Sequence, residues 1–184
     1  MKTQAHRYHD ISVGHRVVGH ESKCRHLHGH NYRIHFYCEA LEEPCKVNAK
    51  AHIYSMDHKC IKCGHEYNSS NLDSVGRVID FSVIKDKLCL WLENNWDHKF
   101  LHWENDLILI GLAKLANNST TDWGDTDYSN FINSLVEVPF NPTAENMAQY
   151  LISEIAPKEL SGLGVVCTKI IIEETAKCAV TVEL

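Results

Sequence analysis

The sequence predicts an α+β domain, and three patterns carry that prediction. Strand-like patterns occupy both ends of the chain, at 3–13, 31–41, 165–174 and 178–183. Apolar residues at helical spacing mark two amphipathic helices between them, at 81–95 and 143–155. No repeat or low-complexity segment interrupts the 184 residues, so one domain spanning 1–184 is expected, carrying an insertion at 42–74.

Composition excludes several classes of function. A hydrophobic share of 44% and a charged share of 23% are ordinary for a soluble globular protein. The net charge of −6 lacks the basic footprint that nucleic-acid binding needs. No apolar run approaches a membrane span, and Met1–Lys2–Thr3–Gln4 has no signal-peptide core. The expectation is a cytoplasmic chain with neither a nucleic acid nor a membrane as partner. Without a secretion signal, the eight cysteines read as thiols, ligands or catalysts before disulfides.

The first strand leads to Gly14–His15–Arg16–Val17–Val18, and a polar loop at 19–27 carries Cys24. His28–Gly29–His30–Asn31–Tyr32 follows and runs into the strand at 31–41, rich in aromatic and β-branched residues. Residues i and i+2 of a strand share a face, so His28 and His30 can converge on one ion while Gly29 takes little room. With His15 they supply three neutral imidazoles and leave a fourth position open, which is the donor set of a catalytic zinc site. Cys24, outside that set, is free to act as base or nucleophile. Thirteen histidines can cluster by chance, but His-x-His with a spaced thiol and a third histidine favours a metal.

Glu42–Glu43–Pro44 stops the strand, and the insertion holds Cys45, His52, His58, Cys60, Cys63 and His65. Cys60-x-x-Cys63-Gly64-His65 has the shape of a zinc knuckle. A second Cys-x-x-Cys is missing; Cys45 is the candidate third ligand, with His52, His58 or His65 as the fourth. A second, structural zinc and an accidental cysteine pair in a reduced loop weigh about equally.

Gly76–Arg77–Val78–Ile79 reads as strand, and Asp80 as N-cap of the helix that begins at Phe81. Phe81, Ile84, Leu88, Trp91, Leu92 and Asn95 form its apolar face, which core packing explains without a cofactor. Asp97–His98 then falls in a loop, where a carboxylate can orient an imidazole for acid–base work. Residues 105–116 read as a short apolar helix, 117–130 as a polar loop, and 136–140 as a short strand. Thr143 is the candidate cap of the second main helix, whose buried face is Ala144, Met147, Ala148, Leu151 and Ile155. Glu145 lies in its first turn, where the helix dipole favours a carboxylate, and Pro157 is expected to end it. Gly162 and Gly164 make a turn. In the strand that follows, Glu174 shares parity with Ile170 and Ile172. Either the strand has reached solvent there, or the carboxylate is aimed into a pocket where it binds an amidine-like edge.

Cys24-x-x-x-His28-Gly29-His30-Asn31-Tyr32 resembles the signature of the 6-pyruvoyltetrahydropterin synthase superfamily. Ser12–Val13–Gly14–His15–Arg16, Val78–Ile79–Asp80–Phe81, Asp97–His98–Lys99–Phe100, Pro142–Thr143–Ala144–Glu145–Asn146 and Glu174–Thr175 follow in the family's order. Three residues between cysteine and the His-Gly-His, and the run Phe140–Asn146, look most like the bacterial 6-carboxy-5,6,7,8-tetrahydropterin synthases of the queuosine route. The tetrahydrobiopterin branch usually has five residues in that gap, and a third branch replaces the cysteine by glutamate.

The resemblance implies a T-fold: an antiparallel four-stranded sheet with two main helices on one face, here with an inserted Cys/His-rich loop. It implies zinc on His15, His28 and His30, Cys24 as general base, and Asp97 with His98 as proton relay. Glu174, backed by Thr175, would anchor the pterin's amino-pyrimidine edge, with Glu145 in support. The implied activity converts 7,8-dihydroneopterin triphosphate to 6-carboxytetrahydropterin, acetaldehyde and triphosphate, in a homohexamer built as a dimer of trimers. The alternatives are 6-pyruvoyltetrahydropterin formation and a catalytically silent zinc-binding interaction protein on the same fold.

Overall fold

The computed structural model of the chain describes residues 3–41, 72–73, 75–117 and 125–184. Cys45, Cys60, Cys63 and His65, expected to hold a second zinc, lie outside the described residues, as does 118–124 of the polar loop.

Strand β1 (Ala5–His15) is followed by a long connection and β2 (His28–Ala40). Helix α1 comprises an α-helical Phe81–Ile84, a π-helical turn Lys85–Cys89 and an α-helical Leu90–Asn95. Strand β3 (Lys99–Trp103), helices α2 (Leu107–Asn117) and α3 (Asp125–Ser134), and strand β4 (Leu135–Val138) come next. Helix α4 has the same composite build as α1: Ala144–Tyr150, a π-helical Leu151–Ile155, then Ala156–Glu159. Strands β5 (Val165–Thr175) and β6 (Cys178–Glu183) complete the order.

The sheet has six strands in the order β4-β3-β1-β2-β5-β6. The four expected strands are contiguous and antiparallel within it, but β3 and β4 extend it in parallel from the β1 side, so the sheet is mixed rather than four-stranded. Odd residues of β1 and even residues of β2 face one side: Ile11, Val13, Tyr32, Ile34, Phe36 and Cys38 are buried there against Ile170 and Ile172 of β5. α1 and α4 cover that side, with Ile84, Leu88, Leu92 and Trp96 from one and Met147, Leu151, Ile152 and Ile155 from the other. Each fully buried large apolar side chain stabilises by roughly 1.5–3 kcal/mol, so this single layer carries most of the fold.

Several local expectations change. Phe81, at the start of the helix, is exposed rather than part of the apolar face, and a π-helical turn farther on adds a residue and brings Cys89 and Trp96 inward. Residues 76–79 form a turn, not a strand: Asp73 Oδ1 accepts from the N–H groups of Val75 and Arg77, and Gly76 has φ +88°. Residues 125–134 are helical where a loop was expected. Pro157 does not end α4. It stands at the start of the last segment, directly after the π-helical turn. Asp80 and Thr143 do cap their helices, accepting from Ser82 N–H and Asn146 N–H.

Truncating the centre of this layer, Phe36→Ala, is expected to destabilise the protein by about 3–5 kcal/mol in urea unfolding. Leu107→Ala, at a position 81% exposed, is expected to change it by less than about 0.5 kcal/mol.

Candidate active site

Strand register builds the histidine cluster. His15 lies directly opposite His28 across the β1–β2 ladder, and Val13 opposite His30, so the three imidazoles share the helix-covered face at one end of the sheet. Ring centroids are 4.4 Å apart for His15 and His28, 5.4 Å for His15 and His30, and 5.1 Å for His28 and His30. One nitrogen from each lies within 4.8 Å of the other two, and no other such group of three occurs among the described residues.

Two of the rings are oriented from behind. His15 Nδ1 lies 2.6 Å from the Pro142 carbonyl oxygen, and His28 Nδ1 lies 2.8 Å from the His26 carbonyl oxygen. A carbonyl only accepts, so both Nδ1 atoms carry the hydrogen and both Nε2 atoms keep a free lone pair. His15 is almost fully buried, and burial pushes its pKa down, more than the Pro142 carbonyl raises it. It is therefore a neutral imidazole with a buried lone pair, the form in which histidine ligates a metal. The donor set fits zinc.

The connection between β1 and β2 carries Cys24 on a short 3-10 turn, Lys23–Arg25. Val17 N–H donates to the Cys24 carbonyl at 2.8 Å, closing the connection on itself. Asn141 pins it to the segment before α4, accepting from Val18 N–H at 2.9 Å and donating to the Val18 carbonyl at 2.8 Å. Arg16 and the buried Asp106 pair at 2.9 Å, and Asp106 also accepts from Ile108 N–H at the start of α2.

Glu174 has the parity expected and stands on the metal face. Its Oε1 is 3.4 Å from His30 Nε2, 3.8 Å from His15 Nε2 and 3.2 Å from the Tyr32 hydroxyl. Burial raises the Tyr32 phenol, and the charge of Glu174 and its hydrogen bond raise it further, with smaller contributions from Cys24 and Glu145. Those last two therefore lie within electrostatic reach of the cluster. Glu145 occupies the first turn of α4 and is exposed.

Asp97 and His98 are brought together beside Ser12 at the edge of β1, and His98 lines a groove of about 550 Å³ with His28 and His30 without bonding to either. His98 Nδ1 is 2.9 Å from Asp97 Oδ2, and Ser12 N–H donates to Asp97 Oδ1 at 2.8 Å. Burial alone would raise the Asp97 carboxyl, but the Ser12 N–H and His98 hold it below the ordinary carboxylate range. His98 has φ +55° and is 82% exposed, so the ring projects from the end of α1 into the open. It also lines a groove of about 500 Å³ with Ser12, Asn31, Arg33, Glu173 and Thr175, on the side of the sheet away from the helices. Among the described residues neither Asp97 nor His98 hydrogen-bonds to Cys24 or to the three histidines. Thr175 thus shares the groove with His98 while its neighbour Glu174 faces the metal side.

Sequence reasoning missed the Pro142 carbonyl, Asn141 and the Tyr32 hydroxyl. Parity alone would have put Tyr32 beside His30 and Glu174.

Comparison with known proteins agrees with this geometry. The family model described as 6-pyruvoyl tetrahydropterin synthase matches residues 4–62 and 48–184. The chain is 28% identical over 173 residues to the 6-carboxy-5,6,7,8-tetrahydropterin synthase of Rickettsia bellii, covering 94% of each chain. The solved structure of an uncharacterized protein from Wolinella succinogenes is similar over 100% of this chain and 98% of that one, with a TM-score of 0.71 at 20% identity. The 6-pyruvoyl tetrahydropterin synthase of Caenorhabditis elegans is similar over 100% and 96%, with a TM-score of 0.53 at 19% identity. Fold, register and family model lead to one conclusion: the chain belongs to the 6-pyruvoyl tetrahydropterin synthase family.

Proposed function

We propose that the chain is a 6-carboxy-5,6,7,8-tetrahydropterin synthase that converts 7,8-dihydroneopterin triphosphate and water to 6-carboxytetrahydropterin, acetaldehyde and triphosphate, for 7-deazaguanine and queuosine synthesis. The observation that carries this reading is the three-histidine cluster with the Glu174 carboxylate against it on one face of the sheet. The three residues between Cys24 and His28 favour the carboxylate-forming branch, and the Rickettsia relatives bear its name.

His15, His28 and His30 would hold zinc, which when bound supplies Lewis acidity toward the side-chain hydroxyls of the substrate. Glu174 accepts two parallel hydrogen bonds from the amino-pyrimidine edge; Thr175, next on the same strand, lines the groove with His98 instead. Glu145 contributes negative charge near the site. Cys24 Sγ takes a proton from the substrate side chain. His98 has its Nδ1 committed to Asp97, so Nε2 is the atom that gives and receives protons.

Because Asp97–His98 makes no hydrogen bond to Cys24 among the described residues of the chain, the relay serves the Cys24 of a neighbouring copy in this proposal. The homohexamer of two trimers that the family resemblance implies provides such neighbours.

Product analysis with dihydroneopterin triphosphate tests the reaction. Acetaldehyde release in step with triphosphate is expected; 6-pyruvoyltetrahydropterin as sole product overturns the branch, and no turnover overturns the enzyme. Cys24→Ala is expected to lower kcat by about 10²–10⁴-fold with metal content unchanged. Purified chain should carry about one zinc per cluster, lost in His28→Ala; zinc that survives there and leaves with Cys60→Ser belongs to the insertion. Cys24→Ala and His98→Ala chains, each inactive alone, are expected to regain activity when unfolded and refolded together. Mixed chains no more active than either parent variant would place the relay within one chain.

A further inference from the structure

Tyr32 is a wholly buried polar side chain that the proposed reaction does not use. Its hydroxyl stands 3.1 Å from His15 Nε2 and 3.2 Å from Glu174 Oε1. The ring packs edge-on against both His15 and His30, so the hydroxyl has no freedom to turn toward another partner. The Pro142 carbonyl fixes the hydrogen of His15 on Nδ1, so Nε2 can only accept. The Glu174 carboxylate also can only accept. A phenol has one hydrogen, and here two acceptors 3.8 Å apart compete for it. Glu174 is partly exposed and has His30 Nε2 at 3.4 Å, but if His15 loses the hydrogen its buried lone pair is left without a donor.

A cation on His15 Nε2 resolves the conflict, because it takes up that lone pair. The phenolic hydrogen then belongs to Glu174 alone. We propose that Tyr32 is a positioning residue that couples metal occupancy of the histidine cluster to the orientation of Glu174, the pterin anchor. With the metal in place, the hydroxyl fixes Oε1 and leaves the carboxylate turned to receive the amino-pyrimidine edge. Without it, the hydroxyl is shared and the carboxylate is not held. This inference rests on the role of Glu174 proposed above and adds a consequence: metal and pterin bind cooperatively even when the pterin cannot touch the metal. Coupling of that kind is reciprocal, so the pterin tightens metal binding by the same factor.

The probe is unsubstituted pterin, which has the amino-pyrimidine edge and no side-chain hydroxyls for a metal. Its affinity, read by fluorescence titration of the full chain in zinc-free and zinc-loaded forms, is expected to rise about tenfold with zinc. In Tyr32→Phe, which keeps the ring and its packing, zinc should still load and the rise should fall below about twofold. Pterin affinity that zinc leaves unchanged or weakens in the parent chain overturns the inference; weakening would make Glu174 a fourth metal ligand instead. An undiminished rise in Tyr32→Phe overturns it as well. The parent measurement does not depend on any variant folding. A parent chain that binds no pterin in either form refutes the anchor role of Glu174 itself, which separates failure of the underlying reading from failure of the coupling.

Discussion

The close approach of β1 and β2 at Gly14 and Gly29, which pair across the ladder, is the constraint on which the rest of the site depends. A Cβ on Gly29 would lie 2.7 Å from the Val13 carbonyl oxygen, and one on Gly14 2.6 Å from Phe100 Cδ2 of β3. A side chain at Gly29 would force the two strands apart or out of register, and one at Gly14 would displace the Phe100 ring. Register is what matters chemically, because side chains alternate with a period of two. A slip of one residue would carry His28 and His30 to the face away from the helices and leave His15 alone. The glycine between the two histidines is therefore a packing requirement as much as a spacer.

The sheet divides its charges by face. On the helix-covered side a neutral, buried imidazole, a phenol that keeps its hydrogen and an accepting carboxylate surround the cluster. On the other side Arg33 forks onto Asp10 at 2.8 and 3.0 Å, and Asp97 is held ionised beside His98. The Asp97–His98 pair at the end of α1 and the histidine cluster on β1 and β2 stand far apart in sequence, with no hydrogen bond between them among the described residues.

Period and capping chemistry made the four long strands and both main helices legible in the sequence. They also fixed the parity of Glu174, since Ile170 and Ile172 announce the buried face. What escaped depends on tertiary context. Strand β3 is short, and its pairing partners rather than its own alternation make it a strand; the strand read at 136–140 is β4, but its parallel place at the sheet edge was not legible. The π-helical turn at Lys85–Cys89 shifts the apolar face by a residue that no straight helical template anticipates, so Cys89 and Trp96 turned inward. The three histidines were readable from spacing because their chemistry is local to β1 and β2. The Pro142 carbonyl, Asn141 and the Tyr32 hydroxyl were not, because each acts across the fold on a residue distant in the chain. Asp97 beside His98 was evident as a pair, but the side of the sheet it faces is set by the left-handed backbone at His98.

The tie between His15 and Pro142 joins residues 127 apart in the chain, and that between Val18 and Asn141 spans 123. A chain emerging from synthesis offers all three histidines long before it offers the carbonyl that sets the tautomer of the first. The N-terminal hairpin by itself can gather imidazoles but cannot choose which nitrogen each presents. A metal centre on these histidines would accordingly be completed late in folding, by long-range contacts that form slowly. Metal binding would in turn favour the state in which the segment before α4 is docked on the hairpin.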